Sequence, residues 1–315
     1  SWLERLPEDR ARHLRMCALL RFARPLADRY DLLITADNYG AFARPGMQYL
    51  HYPAPIAPQP AFLPALMRPY FACCDAAVGV PWQAAARNLT LANSMWTANG
   101  LAHHAGISAR VLYPPVLDPG DGLPWERRSD TFLCIGRFHG SKRIDTVMSI
   151  VRRLRAHVLP GARLVIAGSP VDRDYTARLH RAAAPDRDWI AFRENLSRPE
   201  INRLIGECRY GLQAMEDEHF GMATAELARG GCLVFAHASG GSPEVLGEPA
   251  LLWTTEDQAV ARIGAMARDA AARDAVRRRV RVHARSFAPE RFVAELSAIV
   301  NAWQSGELPK AGILQ

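Results

Sequence analysis

The chain has 315 residues, 49% hydrophobic and 23% charged, the balance of a globular protein with room for two domains. No run approaches twenty apolar residues, so a membrane-spanning helix is not expected. The net charge of +7 is carried mostly by arginine and suits phosphate-bearing ligands or an anionic membrane face. Nucleic acid is not an expected partner, because the basic residues are spread out and no zinc-finger or RNP-type motif accompanies them. Of the six cysteines, Cys73 and Cys74 are adjacent, while Cys17, Cys134, Cys208 and Cys232 sit singly in apolar surroundings. No CxxC or HExxH spacing occurs, so neither a disulfide framework nor a structural zinc is indicated. Buried free thiols in a reducing, cytoplasmic setting follow, and the sequons at Asn88 and Asn195 are then without consequence. The chain begins at Ser1 rather than Met and shows no signal-peptide pattern.

In chain order, residues 1–30 are basic, with apolar positions Leu14, Met16, Leu19, Leu20 and Phe22 that predict an amphipathic helix ending before Pro25. Such a helix can cover a sheet with its arginines in water, or touch acidic lipid headgroups. Short apolar runs then alternate with helical segments: strands at 31–35, 47–51, 88–93 and 110–112, with a helix through SMWTANGLAHHAG. Residues 117–130 (LDPGDGLPWERRSD) are rich in Pro, Gly and charge and read as a linker between a domain over 1–116 and one over 131–288. Strands are expected in the second domain at 131–135, 163–168, 189–192, 210–213, 232–236 and 250–253. Helices are expected over about 144–158, from Arg198, and over Met222–Arg229. From Asp257 the chain is helical and arginine-rich, broken near Pro289, with a last helix and tail over 289–315. Such alternation reads as α/β with doubly wound parallel sheets, in which ligands lie beyond the carboxyl ends of the strands. The unusual loops, at 136–142, 168–172, 193–197, 215–221 and 238–244, all fall at those ends.

Three of these loops carry candidate chemistry. Glu218 and Glu226 stand eight positions apart in EHFGMATAELARGGC, where a His-Phe-Gly turn leads into a short helix closed by Gly230 and Gly231. A helix N-terminus with unpaired N–H groups suits a phosphate, and Glu226, one turn in, is placed to reach a sugar diol. The two acids also invite a glycosidase pair, or a simple role as partners of the helix dipole, but they share one loop-helix unit rather than flanking a cleft from separate strands. Arg137 and Lys142 flank the loop after the first strand of the second domain and can hold a diphosphate; no Walker lysine is present. Gly240, Gly241 and Ser242 read as a flexible turn open to close approach, or as a plain connection. His51 ends a strand in LHYP, where a structural role and a place in an interdomain cleft both stay open, and Asp37 with the loop at 38–45 is a candidate acceptor edge.

These residues together resemble the retaining glycosyltransferases of family 4. IGRFHGSKRID looks like that family's GR-x4-K element, EHFGMATAELARGGC like its E-x7-E element, and HASGGSPEVL like the Gly-Gly-Pro-Glu loop that follows. Within the group the chain is most similar to mannosyltransferases that extend lipid-linked oligosaccharides in asparagine-linked glycosylation, through RPGMQYLHYP, NLTLANSMWTANG, VLYPPV and FRENLSRPEINRLI. The resemblance implies a GT-B fold, two Rossmann-like domains whose parallel sheets face a cleft. It further implies transfer of a hexose, mannose or similar, from GDP-mannose or a UDP-hexose, with retention at the anomeric carbon and no metal. The acceptor would be a saccharide or a polyprenyl-linked one, met by peripheral contact with the inner face of a membrane. By the same resemblance Glu226 would bind the ribose, Glu218 the sugar, and Arg137 and Lys142 the diphosphate, with His51 beside the donor sugar. Gly136, Phe220, Gly221 and Met222 would line the phosphates and sugar, and Asn195 and Leu196 would lie near the base. Residues 1–30 hold no counterpart of the strand, glycine-rich loop and helix that open the family's first domain. The amino-terminal domain is therefore expected to be incomplete, and a non-catalytic nucleotide-binding or scaffolding protein is the alternative.

Overall fold

The computed structural model describes residues 17–307, apart from 24, 27, 28, 37, 38, 41–43, 54–68, 71, 74, 75, 77–81 and 121. Leu14, Met16, Cys74, Asp37 and half of the expected acceptor-edge loop at 38–45 therefore lie outside the described residues. Two compact units emerge, one of Ser1–Tyr113 with Ala294–Gln315, the other of Pro114–Val293.

In the first unit, β1 (Ile34–Thr35), β2 (Met47–Leu50), β3 (Leu89–Ala92) and β4 (Ala109–Val111) form a parallel sheet in that order. β2 is buried at every position, as a strand covered on both faces must be. Helix Met95–Ala105 starts at Ser94, whose hydroxyl accepts from Thr97 N–H at 3.0 Å, and stops at Gly106 in the left-handed conformation. Buried polar groups are paired with one another. Gln48 donates to the Ala85 carbonyl and to Thr90 Oγ1, while Asn88 donates to the Gly40 carbonyl and to Gln48 Oε1. Asn88 is fully buried, which gives its sequon no access to modification. Residues 17–23 are helical and end before Pro25, but the expected apolar face is only partly inward. Cys17 and Leu20 are buried, whereas Leu19 and Phe22 are 68% and 73% exposed. The strand expected over 31–35 shrinks to two residues, since it pairs only with β2.

The second unit has six parallel strands: β5 (Ser129–Ile135), β6 (Arg163–Gly168), β7 (Ile190–Glu194), β8 (Cys208–Gln213), β9 (Leu233–His237) and β10 (Leu252–Trp253). Their spatial order is β10-β9-β8-β5-β6-β7. The chain runs outward from β5 through β6 and β7, then returns to the other side of β5 at β8, which makes the β5/β8 boundary a topological switch point. Residues 123–130, whose lack of periodicity read as linker, carry Trp125 into this unit, edge-on to Tyr210 at 5.9 Å. Arg128, 6% exposed, ties the amino ends of the strands by donating to the carbonyls of Leu123, Ile205, Cys208 and Gly230. The helical stretch after Asp257 resolves into helices Glu256–Arg268 and Ala270–Ala284, with Asp269 capping the second, and helix Pro289–Gln304 follows the expected break. Burial pushes the Cys134 and Cys232 thiols up to about 12, so both act as packing residues.

Candidate nucleotide-sugar site

The switch point brings together the loops that follow β5 and β8. After β5, Gly136 N–H still bonds to the Ala167 carbonyl on β6, and Phe138, fully buried, turns the chain by bonding to Ser169. The approach is close: a Cβ at Gly168 would lie 1.8 Å from the Gly136 carbonyl oxygen, so position 168 admits only glycine. That turn leaves Arg137 exposed, without an ion pair or hydrogen bond among the described residues, and a short 3-10 turn carries Lys142 inward. Lys142 Nζ donates to Glu218 Oε2 at 2.5 Å, with the two side chains 18% and 22% exposed. The two motifs, 76 positions apart in sequence, thus meet at the switch.

The loop after β8 is held from behind. Phe220 is buried edge-on against Phe287 at 5.3 Å, which fixes the middle of the turn and leaves Glu218 facing Lys142. Gly241 N–H donates to the Glu218 carbonyl at 2.6 Å, and Asp217 N–H donates to Ser239 Oγ at 2.8 Å. A Cβ at Gly240 would come within 2.2 Å of the Glu218 oxygen, and one at Gly241 within 2.7 Å of Phe220 Cα. The segment, read as a flexible turn or a plain connection, packs closely behind the Glu218–Phe220 turn, and Ser242, 2% exposed, opens a short helix Ser242–Leu246. Gly221, at φ 103, turns the chain into helix Met222–Arg229. This helix starts without a side-chain cap, whereas Ser94, Asp172, Thr255 and Asp269 cap theirs. Its first N–H groups and the positive end of its dipole are left for an anion.

Glu226 lies one turn into that helix, 14% exposed, and Arg198 Nη1 donates to its Oε1 at 2.9 Å. Burial holds the Glu226 carboxyl above the usual carboxylate range, and the Arg198 guanidinium pulls it partly back. Among the described residues, Arg198 Nε and Nη2 are buried without partners, as is Gln213 Nε2 at the carboxyl end of β8. Asn195 sits at φ 53 with its N–H bonded to the Gly168 carbonyl, and Leu196 packs against the core. His51 belongs to the first unit, directly after β2, where Nε2 lies 2.8 Å from the Ala36 carbonyl and the ring meets Tyr49 edge-on. Sequence reasoning missed Arg198 altogether. One signal was there: an arginine in the first turn of a helix opposes the dipole and needs another reason to be present. Arg143 pairs with Glu216, and His237 Nε2 lies 3.7 Å from the same carboxylate; neither pairing had a sequence signature. Among the described residues, no cluster of three or more His, Cys, Asp or Glu is placed to hold a metal, and no helix is long and apolar enough to cross a membrane.

A six-stranded parallel sheet wound both ways from β5 in one unit and a parallel sheet in the other define a protein of two Rossmann-like units of the GT-B class, with polar loops gathered at the carboxyl ends of the larger unit's strands. Residues 122–281 match the Glycosyl transferases group 1 family, and the chain belongs to it. It is similar to the GDP-Man:Man(3)GlcNAc(2)-PP-Dol alpha-1,2-mannosyltransferase of Candida albicans, at 30% identity over 179 residues that cover 49% of this chain and 29% of the relative. The enzyme of the same name from Homo sapiens is 24% identical over 170 residues, 49% of this chain and 35% of that protein. The matched part is thus about a third of the length of these relatives. Among solved structures, Anabaena Alr3699/HepE in complex with UDP and glucose superposes with a TM-score of 0.69 at 15% identity, covering 90% of this chain and 82% of the other. The α,α-trehalose 6-phosphate synthase of Burkholderia multivorans gives 0.67 at 14% identity, covering 96% and 78%.

Proposed function

We propose that the chain binds a nucleoside diphosphate sugar at the β5/β8 switch and serves a hexosyltransferase, moving mannose or a similar hexose to a saccharide or polyprenyl-linked acceptor with retention of configuration. The observation that carries this reading is the ion pair of Lys142 with Glu218, which puts a cation and an acid from separate motifs beside an uncapped helix N-terminus. The chemistry follows from that arrangement. When the bond between the sugar's anomeric carbon and the diphosphate breaks, negative charge grows on the leaving phosphate oxygen. Lys142, Arg137 and the N–H groups at the start of Met222–Arg229 are the groups available to stabilise it, so the role needs no metal. Incoming phosphate competes with Glu218 for Lys142, which releases the Glu218 carboxylate to accept hydrogen bonds from sugar hydroxyls. Glu226, held by Arg198, is the candidate for the ribose diol, and the turn at Asn195–Leu196 for the base.

The similarity to GDP-Man:Man(3)GlcNAc(2)-PP-Dol alpha-1,2-mannosyltransferases favours GDP-mannose as donor and a dolichol-linked acceptor, which would bring the protein to a membrane surface as a peripheral partner. His51 is the candidate on the first unit for the donor sugar. The test is donor hydrolysis and transfer with a panel of GDP- and UDP-hexoses. Turnover of one donor, lost in Lys142→Ala, is the expected result; no release of nucleoside diphosphate from any donor would sink the proposal.

A further inference from the structure

At the opposite end of the six-stranded sheet from the donor loops, near the starts of β5, β8 and β9, a cavity of about 230 Å3 is lined by Gly231, Asp274, Arg277, Arg278 and Arg281. Among the described residues that line it, three guanidinium groups meet a single carboxylate, and Asp274 is already engaged. Asp274 accepts from Arg273 and from Arg277, each at 3.4 Å. The Arg277 guanidinium lies 3.8 Å from the centre of the Trp125 ring, so its plane is fixed by stacking, while its Nε is buried without a partner. Burial pulls the Arg277 pKa down, Asp274 opposes it, and the neighbouring Arg128 and Arg273 add a smaller downward pull. Arg128, itself a cation, adds to the positive charge here while its N–H groups donate to four backbone carbonyls. Arg278 is exposed and has no ion pair among the described residues. Gly231, at φ 81, leaves the floor of the cavity without a side chain.

We propose that this cavity is a second anion site, which takes a phosphate group carried either by a small soluble metabolite or by a lipid headgroup. Arginine forks match phosphate oxygens in pairs, and a stacked guanidinium loses little further freedom on binding. The volume admits the phosphate and only a few attached atoms, and Asp274 selects against anions that would crowd it. The site shares no residue with the donor loops, so its failure leaves the donor reading untouched, and the reverse holds equally.

Two measurements on the full chain test it, each with wild type and the variant Arg278→Gln/Arg281→Gln. One is calorimetric titration with inorganic phosphate at constant ionic strength. The other is flotation with phosphatidylcholine vesicles with and without phosphatidic acid. Arg277 is left in place because it packs on Trp125, and should the double variant unfold, Arg278→Glu alone replaces it. The expected result is saturable binding weakened at least about tenfold in the variant and recovered when both positions are lysine, with nucleoside diphosphate affinity unchanged. Binding of free phosphate identifies a soluble ligand; flotation that requires phosphatidic acid without phosphate binding identifies a lipid. Equal binding by wild type and variant, or none in either assay, overturns the proposal.

Discussion

Glu218 and Glu226 look alike in the sequence and differ sharply in what surrounds them. Glu218 is tied to a cation that a phosphate would claim, so removing its charge should act in two directions. Glu218→Gln is expected to tighten nucleoside diphosphate binding by roughly two- to fivefold, the worth of one partly exposed ion pair, while transfer to the acceptor falls. Titration calorimetry and a transfer assay on the same preparation check both signs; a parallel loss of both would assign Glu218 to the fold. Glu226 is governed by desolvation. A carboxyl raised in the folded state contributes stability that is full below its unfolded pKa and is lost as pH rises through the folded value, so at neutral pH its charge costs stability. The ionised form accepts from ribose hydroxyls more strongly than the neutral one, and nucleotide affinity should therefore fall as pH drops through that raised pKa. Arg198→Ala removes the opposing charge and should move the midpoint of the pH–affinity curve upward. An unshifted midpoint would remove Arg198 from this role. Arg137, Lys142, Glu218 and Glu226 were legible as residue types in loops, because strand-end placement needs only periodicity. Arg198 was not, since its partner is 28 positions away (226 − 198) and only the return of the chain from β7 to β8 brings the two together.

At the scale of elements, the site depends on backbone meeting backbone. The Glu218–Phe220 turn rests on Gly240 and Gly241, and Gly168 rests on Gly136, in contacts that leave no space for a methyl group. Gly240→Ala places a Cβ against the Glu218 backbone and also forces alanine to adopt φ 69, so it should destabilise the second unit by roughly 2–4 kcal/mol. Denaturant unfolding measures the cost, and nucleotide affinity measured well below the transition should fall with it. Stability and affinity both within error of wild type would show the loop to be free to move. Most strands were readable from short apolar runs, because parallel strands covered on both faces have no polar alternation to confuse them. The ends of the sheets were less so. β1 keeps two of five expected residues and β10 two of four, since an edge strand pairs on one side and its apolar residues can turn elsewhere. The close packing of Gly240–Ser242 was not legible, because glycine signals permissive backbone without saying whether the fold uses it for motion or for close contact.

For the whole molecule, the two units carry unequal shares of what the sequence announced. Pro114–Val293 holds both motifs, the uncapped helix and the arginine cavity, whereas Ser1–Tyr113 contributes His51 and a four-stranded sheet. The central claim is that the loops at the β5/β8 switch hold a nucleoside diphosphate, and titration of the chain with GDP and with UDP tests it most directly. Wild type should bind one of them at a single site, weakened at least about tenfold in both Lys142→Ala and Glu226→Ala, with affinity falling much more than fold stability changes. No binding of either nucleotide at millimolar concentration, or equal affinity in wild type and both variants, would contradict it.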